Sequence, residues 1–185
     1  MSMQKGFWHY LELWRERFPR PRPLQWRGHW LENPYCQDCR YCCGPQDSNT
    51  PFPMALLPSQ LRPNLDEDFY LLNADTAYLD ARGCKADTNH GCRLPHAQRP
   101  VACGLFPLVL VNGSLYLYKT CPAVIFTPLE QLAALGLEAG RWLTGFSLEN
   151  LRHISLDLSE QTLAERYISL SIGIFDAKGA RLDLR

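Results

Sequence analysis

Four of the chain's eight cysteines fall within eight residues, as Cys36-Gln37-Asp38-Cys39-Arg40-Tyr41-Cys42-Cys43. Two intervening residues let a tight turn bring two sulfurs to one ion, with backbone N–H groups free to face the thiolates. Zinc and iron–sulfur sites share this spacing for that reason. Cys42 and Cys43 add a further constraint. Neighbouring side chains in an extended segment point to opposite faces, so the two serve one ion only where the backbone turns. Otherwise one of them faces a second metal or a substrate. The remaining cysteines, Cys84, Cys92, Cys103 and Cys121, are separated by seven, ten and seventeen residues, with Pro95, Pro100 and Pro107 in the intervening loops. A lone cysteine at such spacing reads as a small buried hydrophobe. Four of them beside a three-thiol chelate read as ligands.

Disulfides are the competing use of an even number of cysteines. At the N-terminus, Lys5, His9, Glu12, Arg15, Glu16 and Arg17 interrupt any apolar run of the kind a secretory signal needs. The longest apolar stretch, residues 105–111, contains Pro107 and stops at Asn112, well short of the roughly 18–20 residues that cross a bilayer. The expectation is therefore a cytoplasmic protein, away from membranes, whose thiols are ligands. Eight thiolates can hold two tetrahedral zinc ions, or one four-iron cluster with cysteines to spare. A remote Cys121-Pro122 parallels the bacterial ferredoxin pattern, in which the last cysteine precedes proline, and puts a [4Fe–4S] cluster slightly ahead of zinc. All-sulfur zinc sites tolerate the same spacings.

Of the 185 residues, 46% are hydrophobic and 21% charged, enough apolar material for one full domain or two small ones. Charge cancels overall, 19 basic against 19 acidic, so no global case for nucleic acid or anionic lipid arises. Residues 1–30 nevertheless carry six basic and two acidic side chains. Phe7, Leu11, Trp14 and Phe18 share one face of an amphipathic helix. Arg15, Arg17, Arg20, Arg22 and Arg27 follow, interleaved with Trp26 and Trp30. Such a mixture can bind nucleic acid, but no nucleic-acid motif accompanies it. The segment reads as a helix docked by its aromatic face, ended by Pro19, Pro21 and Pro23.

From about residue 34 to 107 the chain is loop-rich, with short strand-like runs at 54–57 and 69–72. It has too few apolar side chains to pack alone, and a metal would supply the missing cohesion. Residues 105–111 and 115–118, joined by Asn112-Gly113, read as a hairpin with a type I′ turn. Thr127-Pro128-Leu129-Glu130 reads as a capped helix start, for a helix to about residue 146 with a break near Gly136 or Gly140. A short helix at 160–166 follows. Leu170, Ile172 and Ile174, then Ala180, Leu182 and Leu184, alternate around Asp176-Ala177-Lys178-Gly179 and predict a terminal hairpin. The class is α+β: an irregular, loop-rich, metal-stapled core with short helices and β-hairpins. Its expected parts are an amphipathic helix and basic connector (1–33), a cysteine-cluster metal-binding domain (34–125), and a helix plus C-terminal hairpin packed on that domain (126–185).

The ordered series Cys36-x2-Cys39-x2-Cys42-Cys43, Gly83-Cys84, Cys92, Arg99-Pro100-x2-Cys103-x2-Phe106-Pro107 and Cys121-Pro122 resembles the YkgJ-type cysteine-cluster family, described as a zinc- or iron-chelating domain. The match runs over about residues 36–122. It departs from the family's usual form between Cys92 and Arg99, where Arg93-Leu94-Pro95-His96-Ala97-Gln98 lacks the aromatic common before Arg-Pro. The resemblance implies metal binding. Through a relative, the flagellin lysine N-methylase, it also implies an alternative: an S-adenosylmethionine-dependent protein-modifying enzyme that carries an iron–sulfur cluster. Members are often labelled iron–sulfur oxidoreductases.

Arg99 either offsets the charge of a thiolate cluster or clamps a carboxylate of a cofactor or substrate. His90 and His96 flank Cys92 and could ligate zinc, but read as surface residues beside so many sulfurs. Asp66-Glu67-Asp68 reads as a solvated loop, and His153 with Asp157 as a surface pair. No P-loop, dinucleotide fingerprint or Ser/His/Asp arrangement appears. The expected function is a metal-binding protein in which Cys36, Cys39, Cys42, Cys43, Cys84, Cys92, Cys103 and Cys121 hold an iron–sulfur cluster or zinc and support redox chemistry where iron is bound. The alternatives are the methyltransferase-like enzyme and a structural zinc module whose basic N-terminal face recruits a partner or nucleic acid; the expected partner is a protein or small molecule, with nucleic acid disfavoured.

Overall fold

Residues 3–18, 20–44, 52–175 and 179–184 are described by a computed structural model. In chain order its elements are α1 (Met3–Arg17), β1 (Gln25–Trp26), β2 (Leu31–Glu32), α2 (Cys36–Cys39), β3 (Phe52–Ala55), α3 (Leu65–Asp68), β4 (Tyr70–Leu71), β5 (Thr76–Leu79), β6 (Asp87–Thr88) and β7 (Gly91–Cys92). They continue with α4 (Val101–Leu105), β8 (Leu108–Val111), β9 (Ser114–Tyr118), α5 (Pro122–Phe126), α6 (Leu129–Leu143), α7 (Leu148–Ile154), α8 (Glu160–Arg166) and β10 (Tyr167–Gly173). The fold is α+β, with helices set against small antiparallel sheets.

The Asn112-Gly113 turn forms as read. Both residues have positive φ, 47° and 75°, and join β8 to β9 with Leu108 opposite Leu117. Residues 105–107 do not extend β8: α4 ends at Leu105, and the cis Phe106–Pro107 peptide links it to the strand. The strand carrying Leu170 and Ile172 pairs with β9, Tyr167 opposite Tyr118, and a bulge near Ser171 lies between its two paired stretches. Beyond it, an antiparallel bridge between Phe175 and Arg181 and a bond from Leu182 N–H to the Ile174 carbonyl bring the chain end back alongside, and the expected turn at 176–178 lies outside the described residues.

Helix α6 buries Leu132, Leu135, Gly136, Ala139, Gly140 and Leu143 at helical spacing. It runs unbroken through both glycines and begins after Pro128, without a side-chain cap from Thr127. The glycines serve packing: a Cβ at Gly136 would lie 2.8 Å from the side-chain ends of Ile172 and Leu170. Helix α8 falls where periodicity places it, whereas α7, started by Ser147 accepting from Asn150 N–H, is an addition.

The main apolar cluster draws on the whole chain: Trp14 and Phe18, Leu31 and Tyr35, Leu108, Leu115 and Leu117, Cys121, then Leu132, Leu143 and Ile174. The N-terminal segment docks through Trp14, 2% exposed, and Phe18; the side chain of Phe7 lies outside the described residues. The middle of the chain, expected to lack a core, has its own. Met54, Leu56, Leu65, Phe69, Ala77, Leu79, Ala86 and Leu94 pack together, with Cys84 and Cys92 against them. These side chains come from short strands order β3-β5-β4 and from loops, so no long periodic run announces them.

Candidate metal centre

The first cysteines are set by a single helical turn. Asn33 and Tyr35 carbonyls accept from Cys36 N–H (3.1 Å) and Cys39 N–H (2.8 Å), and Arg40, at φ 51°, ends the turn in the left-handed region. Three residues apart on one turn, Cys36 and Cys39 face the same way. Arg40 then donates to Asp87, from Nε at 3.0 Å and Nη2 at 2.6 Å, and so fastens this turn to the β6–β7 hairpin that carries Cys92. The Cys43 carbonyl accepts from Cys84 N–H at 2.9 Å. Cys103 lies within α4, its N–H donating to the Pro100 carbonyl, and Cys121 occupies the N-cap of α5.

All eight cysteines line one cavity of about 390 Å³. That is more than ten times the ~30 Å³ a water molecule occupies in the liquid. Each of the eight is a free thiol. Cys36 and Cys103 have substantial accessible surface, yet both thiols are densely surrounded by protein. Both hold because the surface they offer is the cavity's own wall.

Burial raises seven of these thiols, Cys36, Cys39, Cys42, Cys43, Cys84, Cys103 and Cys121, and is the largest cause for each. Cys36 and Cys42 are pushed well up by burial and then by Cys121. Cys121 reaches about 12 through burial, with Cys39 adding to it. Cys43, also about 12, responds after burial to Cys84, Asp87 and Cys92. Cys103 responds after burial to Cys43, Cys84 and Cys92. The leading couplings, Cys121 on Cys36 and Cys42 and Cys84 on Cys43, lie within one continuous array, because Cys36 also responds to Cys43, ahead of Cys39, and to Cys103. Among the described residues no three His, Cys, Asp or Glu side chains already stand in coordinating array. Neutral thiols have no attraction to gather them, and the donor chemistry and the room are what fit a thiophilic metal.

The remaining candidates distribute unevenly. Arg99 lines the same cavity, held by Nε to the Leu94 carbonyl (2.9 Å) and Nη1 to His96 Nε2 (3.2 Å), and no carboxylate lies within 4.0 Å of it among the described residues. Its charge favours the Cys103 thiolate. His90 and His96 both reach the cavity wall, and His96 stacks on Trp30 at 3.4 Å. Two readings change. Asp68 is buried and paired with Arg62 and Arg93 rather than solvated. His153 faces the Leu56 and Asp75 carbonyls at 3.2 and 3.3 Å, with Asp75 as its carboxylate neighbour instead of Asp157. The basic connector is pinned at the surface: Arg17 donates to the Asp38 carbonyl, Arg22 to the Pro34 carbonyl and Asp38 carboxylate, and Arg27 pairs with Glu32. Sequence reasoning missed Asn33, Met54 and Tyr167, which also line the cavity. Only the position of Asn33 just ahead of the Cys-x2-Cys turn could have flagged it.

Comparison with protein-family models, curated proteins and solved structures finds no match to this chain. The likeness to the cysteine-cluster family therefore rests on the cysteine pattern alone. Among the described residues no helix is long and apolar enough to cross a membrane.

Proposed function

We propose that this chain is a metal-binding protein of a reducing compartment, the cytoplasm, in which eight cysteine thiolates hold iron–sulfur clusters or zinc as two four-sulfur centres, a first set of Cys36, Cys39, Cys42 and Cys121 and a second of Cys43, Cys84, Cys92 and Cys103. The observation that carries this reading is the convergence of all eight cysteines, from residue 36 to residue 121, on one cavity wall. Four thiolates complete either a tetrahedral zinc site or a four-iron cluster. The eight are free thiols, so their sulfurs remain available as ligands. With iron bound, the centres supply one-electron chemistry. With zinc, they supply cohesion across the cavity.

Metal and acid-labile sulfide analysis of anaerobically purified protein tests this. The expected result is two zinc ions per chain, or iron with matching sulfide, and a thermal midpoint that drops when the metal is stripped. Protein that carries no metal and keeps its full stability contradicts the proposal.

A further inference from the structure

Asn33 connects the two ends of the first thiol set. Its backbone carbonyl accepts from Cys36 N–H at 3.1 Å, and its side chain reaches Cys121, with Nδ2 3.9 Å from Sγ. The carboxamide's orientation is fixed by its other end: Oδ1 accepts from Tyr35 N–H at 3.1 Å, so the NH2 group must face the sulfur. The residue is buried and borders the cavity. The Cys121 carbonyl accepts from Val124 N–H at 2.9 Å and Ile125 N–H at 3.1 Å, which seats the residue at the head of α5 while Asn33 donates to its sulfur. A donor locked in place before metal arrives costs nothing to organise afterwards. Hydrogen bonds to ligand sulfurs draw charge from them and tune the bound metal.

We propose that Asn33 is a positioning residue, its carboxamide donating to Cys121 Sγ and thereby setting how tightly the Cys36, Cys39, Cys42 and Cys121 set holds its metal. This rests on the metal-binding reading above. It goes beyond it by naming the group that makes this set's binding differ from that of its neighbour.

The test uses full-length protein loaded anaerobically with Co(II), whose thiolate complexes absorb in the visible, with release to a chelator followed over time. Asn33→Asp keeps an acceptor for Tyr35 N–H but offers Cys121 no donor. Asn33→Ser does the same without charge, being too short to reach the sulfur, and carries the test if the first variant fails to fold. Cys92→Ser identifies the phase that belongs to the other set. In both Asn33 variants, release from the first set should quicken about 10–100-fold, the range for lost outer partners of ligands. Its sulfur-to-metal absorption should move to longer wavelength, and the second phase should stay put. Unchanged release and absorption, or both phases quickened alike, would leave Asn33 as a turn residue and overturn the inference. Wild-type protein that takes up no Co(II) would sink the metal reading itself, and this inference with it.

Discussion

Gly83 holds a backbone that few other residues could adopt. Its φ is +77°, and a Cβ there would fall 2.9 Å from the Cys43 carbonyl oxygen and 3.1 Å from the Gly44 carbonyl carbon. The close approach is what lets Cys84 N–H reach that same carbonyl at 2.9 Å and brings two members of the second thiol set together. Gly83→Ala should therefore cost about 1–3 kcal/mol, from left-handed strain plus the contact with fixed backbone. A urea titration of the metal-free protein checks it, and no change in midpoint would mean the contact relaxes freely. At this scale the sequence was informative about chemistry and silent about partners. Cysteine spacing suggests chelation because a turn's geometry is local, and the proposal rests on it. Asn33 with Cys121 and Arg40 with Asp87 are 88 and 47 residues apart, and nothing local encodes either pair.

Helix α1 acts as a brace across the first thiol set. Trp14 Nε1 donates to the Thr120 carbonyl at 3.0 Å, beside Cys121, and its ring meets Tyr41 edge-on between Cys39 and Cys42. Arg17 and Arg22 hold the turn's Asp38. Trp14→Ala should destabilise the protein by about 3–5 kcal/mol, the cost of emptying a large buried site. Trp14→Phe keeps most of the ring contact and loses the bond, so about 1 kcal/mol is expected. Thermal or denaturant unfolding distinguishes the two, and a Trp14→Phe protein as stable as wild type would show that packing alone holds the helix. Elements with a strong local code were legible: α8, the Asn112-Gly113 hairpin, and the aromatic face that docks α1. Those decided by tertiary contact were not. The break expected at Gly136 or Gly140 ignores that β10 packs there, and the pairing of β10 with β9 joins segments that no local pattern connects.

Across the whole molecule, the cavity is a seam between two apolar clusters. Cys121 belongs to the main one, with Cys39 packed against it, whereas Cys84 and Cys92 pack against the smaller one. On the metal-binding proposal, the metal would join two cores rather than replace a missing one, and loading would be favoured as pH rises because the ligand thiols give up their protons as it enters. X-ray absorption at the edge of the bound metal tests the central claim most directly. All-sulfur coordination at about 2.3 Å from each metal, in protein whose eight thiols resist alkylation, is the predicted result. A sphere dominated by nitrogen and oxygen near 2.0–2.1 Å, with the cysteines still open to alkylation, would contradict it.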